Sequence, residues 1–577
     1  MGIPHLAATL EPYCVVRPLR DETAVIDGPA LAYHILHECR LNGVLQPSYR
    51  LVGGAAVRWL DEISRQRVDV RAIYFDGHLP LAKRRVRMER LLRSTAQIAH
   101  LHSSNPRGCP ARQLAQGPEP EKADVFATGA VASRSFADPA FLVPAVIEAL
   151  RSCTQYRERV LMVPGEADTF CARHVLSSGG LVLTSDSDLL VHELGDAEVV
   201  FFRDIQRRAG SAILCGSYGP KRICEKLGQP SSDGLVRLAY EQKRSPHASM
   251  AQILRACSSA LLHENEYAQF CSEYRGSEIR QLSLPTAAGP LENGSLDPRL
   301  AELAIQLHSA SGIAGDAHMF LPVLTENPAR GSAWEHSTVV RQLAYSLLIG
   351  PDPALAVLEF RRIQSTSQKG RRVEIDNADL QQYLGQLLCL LQEVSVISTI
   401  DQSRFWLLVC LGLDVVECRR RDKESLAWAA FRQVAKSPAA NNSSIPWDVV
   451  HAVAQLQAMC YSFRLLRQAL SVCSARGRDK TLADVRQLQP YLDHLPPLTD
   501  FPDINSFNQI RKLPGHGSLV MSLEQCLGLP ALRQDITGRD ISATNNGLGK
   551  PADGRTLRTR SDRTAGQNKF DILSLEE

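Results

Sequence analysis

The sequence has no C-x-x-C pair among its fifteen cysteines, no apolar run long enough to span a bilayer, and no large surplus of charge of one sign. Each absence removes a class. Scattered cysteines in odd number exclude a zinc ribbon and suggest no disulfide framework, which fits a reducing compartment, nucleus or cytoplasm. The best apolar run, Phe405 to Leu413, is about half a membrane span and stops at Asp414, so no membrane partner is expected. A formal net charge of +3 provides no global attraction for nucleic acid, and any such footprint must come from local clustering. There is no G-x-G-x-x-G and no P-loop, which weakens any reading as a nucleotide phosphotransferase. The opening "MGIPHLAATL" has neither the basic nor the apolar region of a secretion signal, and Leu6 stands where myristoylation needs Ser or Thr.

With 577 residues, two or three folded units are expected. The first third alternates strand and helix signals. "TAVIDG", "VRAIYFDG", "RVLMVPG", "GLVLTSD" and "AEVVFF" are short β-branched runs, separated by helical patterns such as "ALAYHILHECRL" and "AAVRWLDEISRQ". That alternation predicts an α/β fold, a mainly parallel twisted sheet with helices on both faces. Residues 101–138, rich in Pro, Gly, Ser and Ala, read as a mobile insertion. An α-helical region is expected over 251–495, after an α/β domain at 1–250, and an irregular, largely disordered tail over 496–577.

The acids are the chemically informative residues. Asp27, Asp76 and Asp186 each end a strand signal, and Glu166 opens the helix after another, with Asp168 and Asp188 close behind. In a parallel sheet, the carboxyl ends of the strands share one edge where ligands bind. Taken singly, each acid has an ordinary explanation as a turn or helix-cap residue. Taken together, carboxylates from four segments at one edge repel unless cations neutralise them.

The blocks "MGIPHL", "VIDGPALAYHIL", "IYFDGHLPLAKRRVRMERL", "VPGEADTFCARHV" and "VLTSDSDLLVHE" occur in the order seen in the XPG/flap-endonuclease superfamily of PIN-like nucleases. Their wording, with "SAWEHSTVVRQLAYSLL" downstream, most resembles the Asteroid branch in a fungal-type version. The resemblance implies that Asp27, Asp76, Glu166, Asp168, Asp186 and Asp188 hold Mg²⁺ or Mn²⁺ in a two-metal site, oxygen-only donors suiting either ion. It further implies that Lys83 and Arg90, seven residues apart on a basic helix with Arg87 between them, guide the scissile phosphate, and that Gly2, Lys83, Arg87 and Arg90 contact nucleic acid. Where the family has a seventh acid this sequence has Ser245, with the candidates Asp233 and Glu241 both out of frame, and "SYGPKRICEKLG" reads as a helix start instead of a duplex-binding hairpin.

The function so implied is a divalent-metal-dependent, structure-specific nuclease hydrolysing DNA or RNA, as in DNA repair. The alternative is a catalytically weakened nuclease fold that binds RNA or acts as a scaffold in post-transcriptional regulation. Protein partners would engage the helical region or the tail.

Overall fold

A computed structural model describes residues 3–80, 83–114, 120–129, 137–208, 212–229, 234–274, 296–309, 316–349, 356–397, 402–433, 444–475, 484–513 and 515–529. One compact unit runs from Met1 to Pro530; the second, Ala531–Glu577, lies outside the described residues, as does the end of the expected tail.

The strands are β1 (Val15–Pro18), β2 (Thr23–Asp27), β3 (Asp69–Asp76), β4 (Cys109–Pro110), β5 (Val160–Val163), β6 (Leu181–Thr184), β7 (Glu198–Arg207) and β8 (Ile213–Tyr218). All but β4 form a seven-stranded sheet in the order β1-β8-β7-β6-β2-β3-β5. From β7 to β5 the pairings are parallel, and β8 and β1 join antiparallel at one side. This is the α/β class expected from the alternating signals. The chain leaves β2 toward β3 and β5, then returns to the other side of β2 with β6, so the strand order reverses between β2 and β6. Such a reversal opens a crevice at the carboxyl ends.

Helices α1 (Leu6–Leu10), α2 (Gly28–Leu41), α3 (Tyr49–Arg65), α4 (Arg84–Ser104), α5 (Leu142–Ser152) and α6 (Ala167–Ser178) occupy the first third. Alternation along each strand divides the core between two faces. Ala24, Ile26, Ile73 and Leu183 pack with α2, α3 and α5, whereas Val25, Ala72 and Val182 pack with α6 and the N-terminal segment.

The first of these cores continues into the helical half. Phe141 stacks on Tyr461 with ring centroids 4.2 Å apart. Glu148 on α5 accepts from the Leu498 N–H at 2.7 Å and pairs with Arg464 of the helix Trp447–Ala475.

Three expectations need correcting. Parts of 101–138 are built into the fold: Leu101–Ser104 complete α4, β4 pairs with β12 (Ser444–Ile445), and Cys109, Val125 and Phe126 are buried. Gly- and Pro-rich composition hid these few apolar anchors; residues 115–119 and 130–136 lie outside the described residues. The helical half also carries a small sheet of β9 (Ala317–Phe320), β10 (Val357–Phe360) and β11 (Arg371–Val373), too short for periodicity to reveal. Beyond 496 the chain is not yet irregular. Helices Ile504–Ile510 and His516–Cys526 bury Ile504, Phe507, Val520 and Leu523, a sparse stripe that suffices because it docks on an existing core.

Because Glu148 joins segments of both halves, Glu148→Ala leaves the buried Arg464, among the described residues, with only the longer contact to Asp297 at 3.9 Å. We expect a loss of about 2–4 kcal/mol, below the full range for buried pairs because Glu148 keeps some solvent contact. Urea denaturation checks this, and both halves should melt in one shifted transition.

Candidate metal centre at the sheet edge

The acids reach the crevice by different local routes. Asp27 ends β2 and caps α2, its Oδ1 accepting the Ala30 N–H at 3.1 Å. Across the β2–β6 pairing, the Thr184 hydroxyl donates to Asp27 Oδ2 at 2.7 Å. Asp76 ends β3 and accepts the Ala167 N–H, the first amide of α6, at 2.7 Å. Glu166 occupies the N-cap position of α6 and Asp168 its first turn. Asp186 caps the short turn Ser187–Val191, accepting the Asp188 N–H at 2.9 Å, while its own N–H donates to Thr184 Oγ1 at 2.9 Å. Asp188 accepts the Ile3 N–H at 2.8 Å and the Tyr274 hydroxyl at 3.3 Å.

Turn and cap roles therefore coexist with convergence on one edge. The two Asp-Gly pairs serve that convergence. A Cβ at Gly28 would lie 2.6 Å from the Phe75 ring, and one at Gly77 would collide with the Val163 carbonyl oxygen.

The crevice is short of positive charge. Burial first, then the neighbouring Asp186, pushes the Asp27 carboxyl up to about 6. Burial, then Asp27 and Glu166, pushes Asp76 up to about 7. Asp168 is held well above the usual carboxylate range, again by burial first, and it feels Asp27, Asp186, Asp76 and Glu166 together, which makes it the electrostatic centre of the group. Asp188 is raised by burial and then by Asp186. Lys83 pairs with Glu166, and although burial opposes its charge, Glu166, Asp168 and Asp186 hold it protonated.

Asp168 and Asp188 are held differently. Asp188 already has protein donors on both oxygens, whereas Asp168 has no N–H or cationic donor among the described residues. Buried carboxylates without enough counter-charge and with hard oxygen donors fit a divalent ion of the Mg²⁺ or Mn²⁺ type. Asp27 and Asp168 are in side-chain contact, but no three of the acids are gathered as tightly as around a bound ion. Among the described residues, the three-member set with all ligand atoms within 4.8 Å of one another is His336, Asp414 and Cys418, not a trio of these carboxylates. Mutual repulsion opposes a tighter gathering, and a cation between them would offset it.

The basic helix is only partly free. Arg87 is paired with Glu302, one bond being 2.9 Å, and its guanidinium lies 4.0 Å over the Phe320 ring. It anchors α4 to the helical half, and in this state its guanidinium is engaged by the protein itself. Arg90 is exposed and lines a cavity of about 380 Å³ together with Asp76, Tyr33, His78, Arg299 and Glu302. Gly2 lies outside the described residues, as does Asp233. Glu241 is held by Arg237 at 2.9 Å and Arg244 at 3.8 Å, so it is no substitute for the seventh acid. The helix Pro220–Leu227 begins where "SYGPKRICEKLG" predicts a helix start.

Sequence reasoning missed Thr184, which bridges Asp27 and Asp186, and Tyr274, which contacts Asp188. The first was signalled by its place two residues before Asp186; the second had no local signal.

Residues 138–375 match a family profile described as XPG domain containing, which supports the XPG/PIN-like nuclease superfamily. The matched stretch holds Glu166, Asp168, Asp186 and Asp188 and runs on into the helical half; Asp27, Asp76 and the basic helix precede it. No curated protein matches the chain. Among the described residues, no helix is long and apolar enough to cross a membrane.

A pH dependence follows from the raised carboxyls. The folded protein binds protons at Asp27 and Asp76 more tightly than the unfolded chain does, so without divalent ions its stability should fall as pH rises from about 4 through 6 and 7. Mn²⁺ should restore stability, and more at pH 8 than at pH 5. Melting temperatures across pH, with chelator and with Mn²⁺, check both signs. Asp27→Asn should flatten the metal-free slope and shrink the Mn²⁺ effect.

Proposed function

We propose that this protein is a divalent-metal-dependent nuclease that hydrolyses phosphodiester bonds in DNA or RNA. The observation that carries the reading is the gathering of Asp27, Asp76, Glu166, Asp168, Asp186 and Asp188 from four sheet-edge segments into a crevice with too little positive charge. Mg²⁺ or Mn²⁺ bound there would activate water and stabilise the charge that develops on the phosphate. Asp27, Asp76, Asp168 and Asp186 would hold the ions, and Thr184 keeps Asp27 and Asp186 in mutual register. Lys83 and Arg90, at the start of α4 and beside the cavity, would orient the phosphate. Tyr33, half exposed at the same cavity, offers a ring on which a base could stack. Placement in the Asteroid branch, a nuclear or cytoplasmic location and a role in DNA repair belong to the same proposal.

One observation favours the second reading, a nuclease fold that binds RNA or scaffolds without cutting. Arg87 and Asp188, both assigned to the working site by resemblance, are satisfied by protein partners.

Cleavage of 5′-flap DNA, hairpin DNA and single-stranded RNA in Mg²⁺ or Mn²⁺ separates the two readings. A nuclease should lose activity by about 10²-fold or more in Asp186→Ala, and Arg90→Ala should slow single-turnover cleavage more than it weakens binding. A pure binder should show no metal-dependent product. Its Arg90→Ala variant should only weaken affinity and lower the salt slope by about one phosphate contact.

A further inference from the structure

A second group of potential ligands stands together in the helical half. His336 precedes the helix Thr338–Ile349, Asp414 and Cys418 lie four residues apart on one face of the helix Gln402–Arg419, and Gln455 projects from the helix Trp447–Ala475. His336, Asp414 and Cys418 each offer a ligand atom within 4.8 Å of the other two. His336 Nδ1 is 2.6 Å from Asp414 Oδ1, 2.9 Å from the Gln455 amide nitrogen and 3.9 Å from Cys418 Sγ. Asp414 Oδ2 lies 3.9 Å from the same sulfur.

Hydrogen bonds alone do not satisfy this set. A ring nitrogen either donates to the carboxylate or accepts from the amide N–H, and Nδ1 faces both. Exchanging the amide oxygen and nitrogen, which occupy equivalent positions, presents Nδ1 with two acceptors and at most one proton. As placed, Gln455 Oε1 is buried without a hydrogen-bond partner, and Gln455 itself is 4% exposed. Ring nitrogen, carboxylate oxygen, amide oxygen and sulfur share one property, a lone pair for a cation.

We propose that His336 Nδ1, Asp414 Oδ1, Cys418 Sγ and the Gln455 amide oxygen form a structural Zn²⁺ site. With Zn–N and Zn–O near 2.0 Å and Zn–S near 2.3 Å, tetrahedral ligand atoms stand roughly 3.3–3.6 Å apart. From His336 Nδ1, the present separations to Asp414 Oδ1, the Gln455 amide and Cys418 Sγ are 2.6, 2.9 and 3.9 Å and bracket that range, so modest side-chain adjustments would close the shell. A soft sulfur with an imidazole selects zinc over the Mg²⁺ suited to the sheet-edge acids. Ser425 Oγ donates to Asp414 Oδ2, which orients the carboxylate from behind, as supporting groups do around bound metals. Asp414 and Cys418 are buried and four protein donors fill the shell, so the ion would join three helical segments and leave no open position for substrate.

The full-length protein, purified without a polyhistidine tag and dialysed against trace Zn²⁺, should carry about one zinc per chain by mass spectrometry. Co²⁺ exchanged into it should show tetrahedral d–d bands and a thiolate charge-transfer band. Cys418→Ser should abolish the charge-transfer band and weaken zinc retention by about 10-fold or more against a competing chelator. Asp168→Asn, in the sheet-edge cluster, should keep its zinc, so failure here and failure of the nuclease reading are separately visible. Sub-stoichiometric zinc, a Co²⁺ spectrum without a thiolate band, or undiminished zinc in folded Cys418→Ser would each overturn the site. Should Cys418→Ser misfold by circular dichroism, the Co²⁺ spectrum of the unaltered protein decides.

Discussion

Mutual repulsion among carboxylates held out of water governs the first third of this protein. Asp27, Asp76 and Asp168 cannot all be charged in their surroundings without a cation, and Lys83 is already engaged by Glu166. A fold concerned only with stability gains nothing from such a group, because apolar side chains of similar volume would pack there without desolvating charge. The surrounding structure is arranged to tolerate it. The acids accept main-chain N–H groups, Thr184 ties two of them together, and glycines at 28 and 77 let the strand ends approach.

The helical half completes this arrangement from the other side. Through Glu302 and Phe320 it grips Arg87 and fixes α4 beside the crevice, and with Arg299 it walls the cavity that Asp76 also lines. Its own polar interior follows a different logic from the acids. Arg341, fully buried, meets Glu359 at 2.6 and 2.9 Å, and Arg361 approaches the same carboxylate. Although burial opposes its charge, these two arginines hold Glu359 down at about 2. There the counter-charge is supplied within the chain; at the sheet edge it is not.

What the sequence disclosed follows the range of the interaction. Asp27, Asp76 and Asp186 were legible as strand-end acids because each closes a short apolar run, and parallel pairing sends such ends to one edge. The helices Gly28–Leu41, Tyr49–Arg65 and Trp447–Ala475 were legible from apolar spacing. The pairing of Arg87 was hidden because its partner Glu302 is 215 residues away, and nothing in a run of basic residues tells a protein carboxylate from a phosphate. The same limit hid Tyr274 behind Asp188, and His336 from Asp414. The phrase "SAWEHSTVVRQLAYSLL" served only as a mark of resemblance, yet within it Arg341 donates to Ser337 and to the Trp334 carbonyl, while packing brings His336 to Asp414, 78 residues away.

The central claim is that a divalent ion supplies the charge missing at the sheet edge. Crystals soaked in Mn²⁺ and measured at the manganese absorption edge test it most directly. Anomalous density bounded by Asp27, Asp76, Asp168 and Asp186, with the carboxylates drawn inward, is the predicted result. An empty crevice at millimolar Mn²⁺ near pH 8, with the carboxylates unmoved, would contradict it.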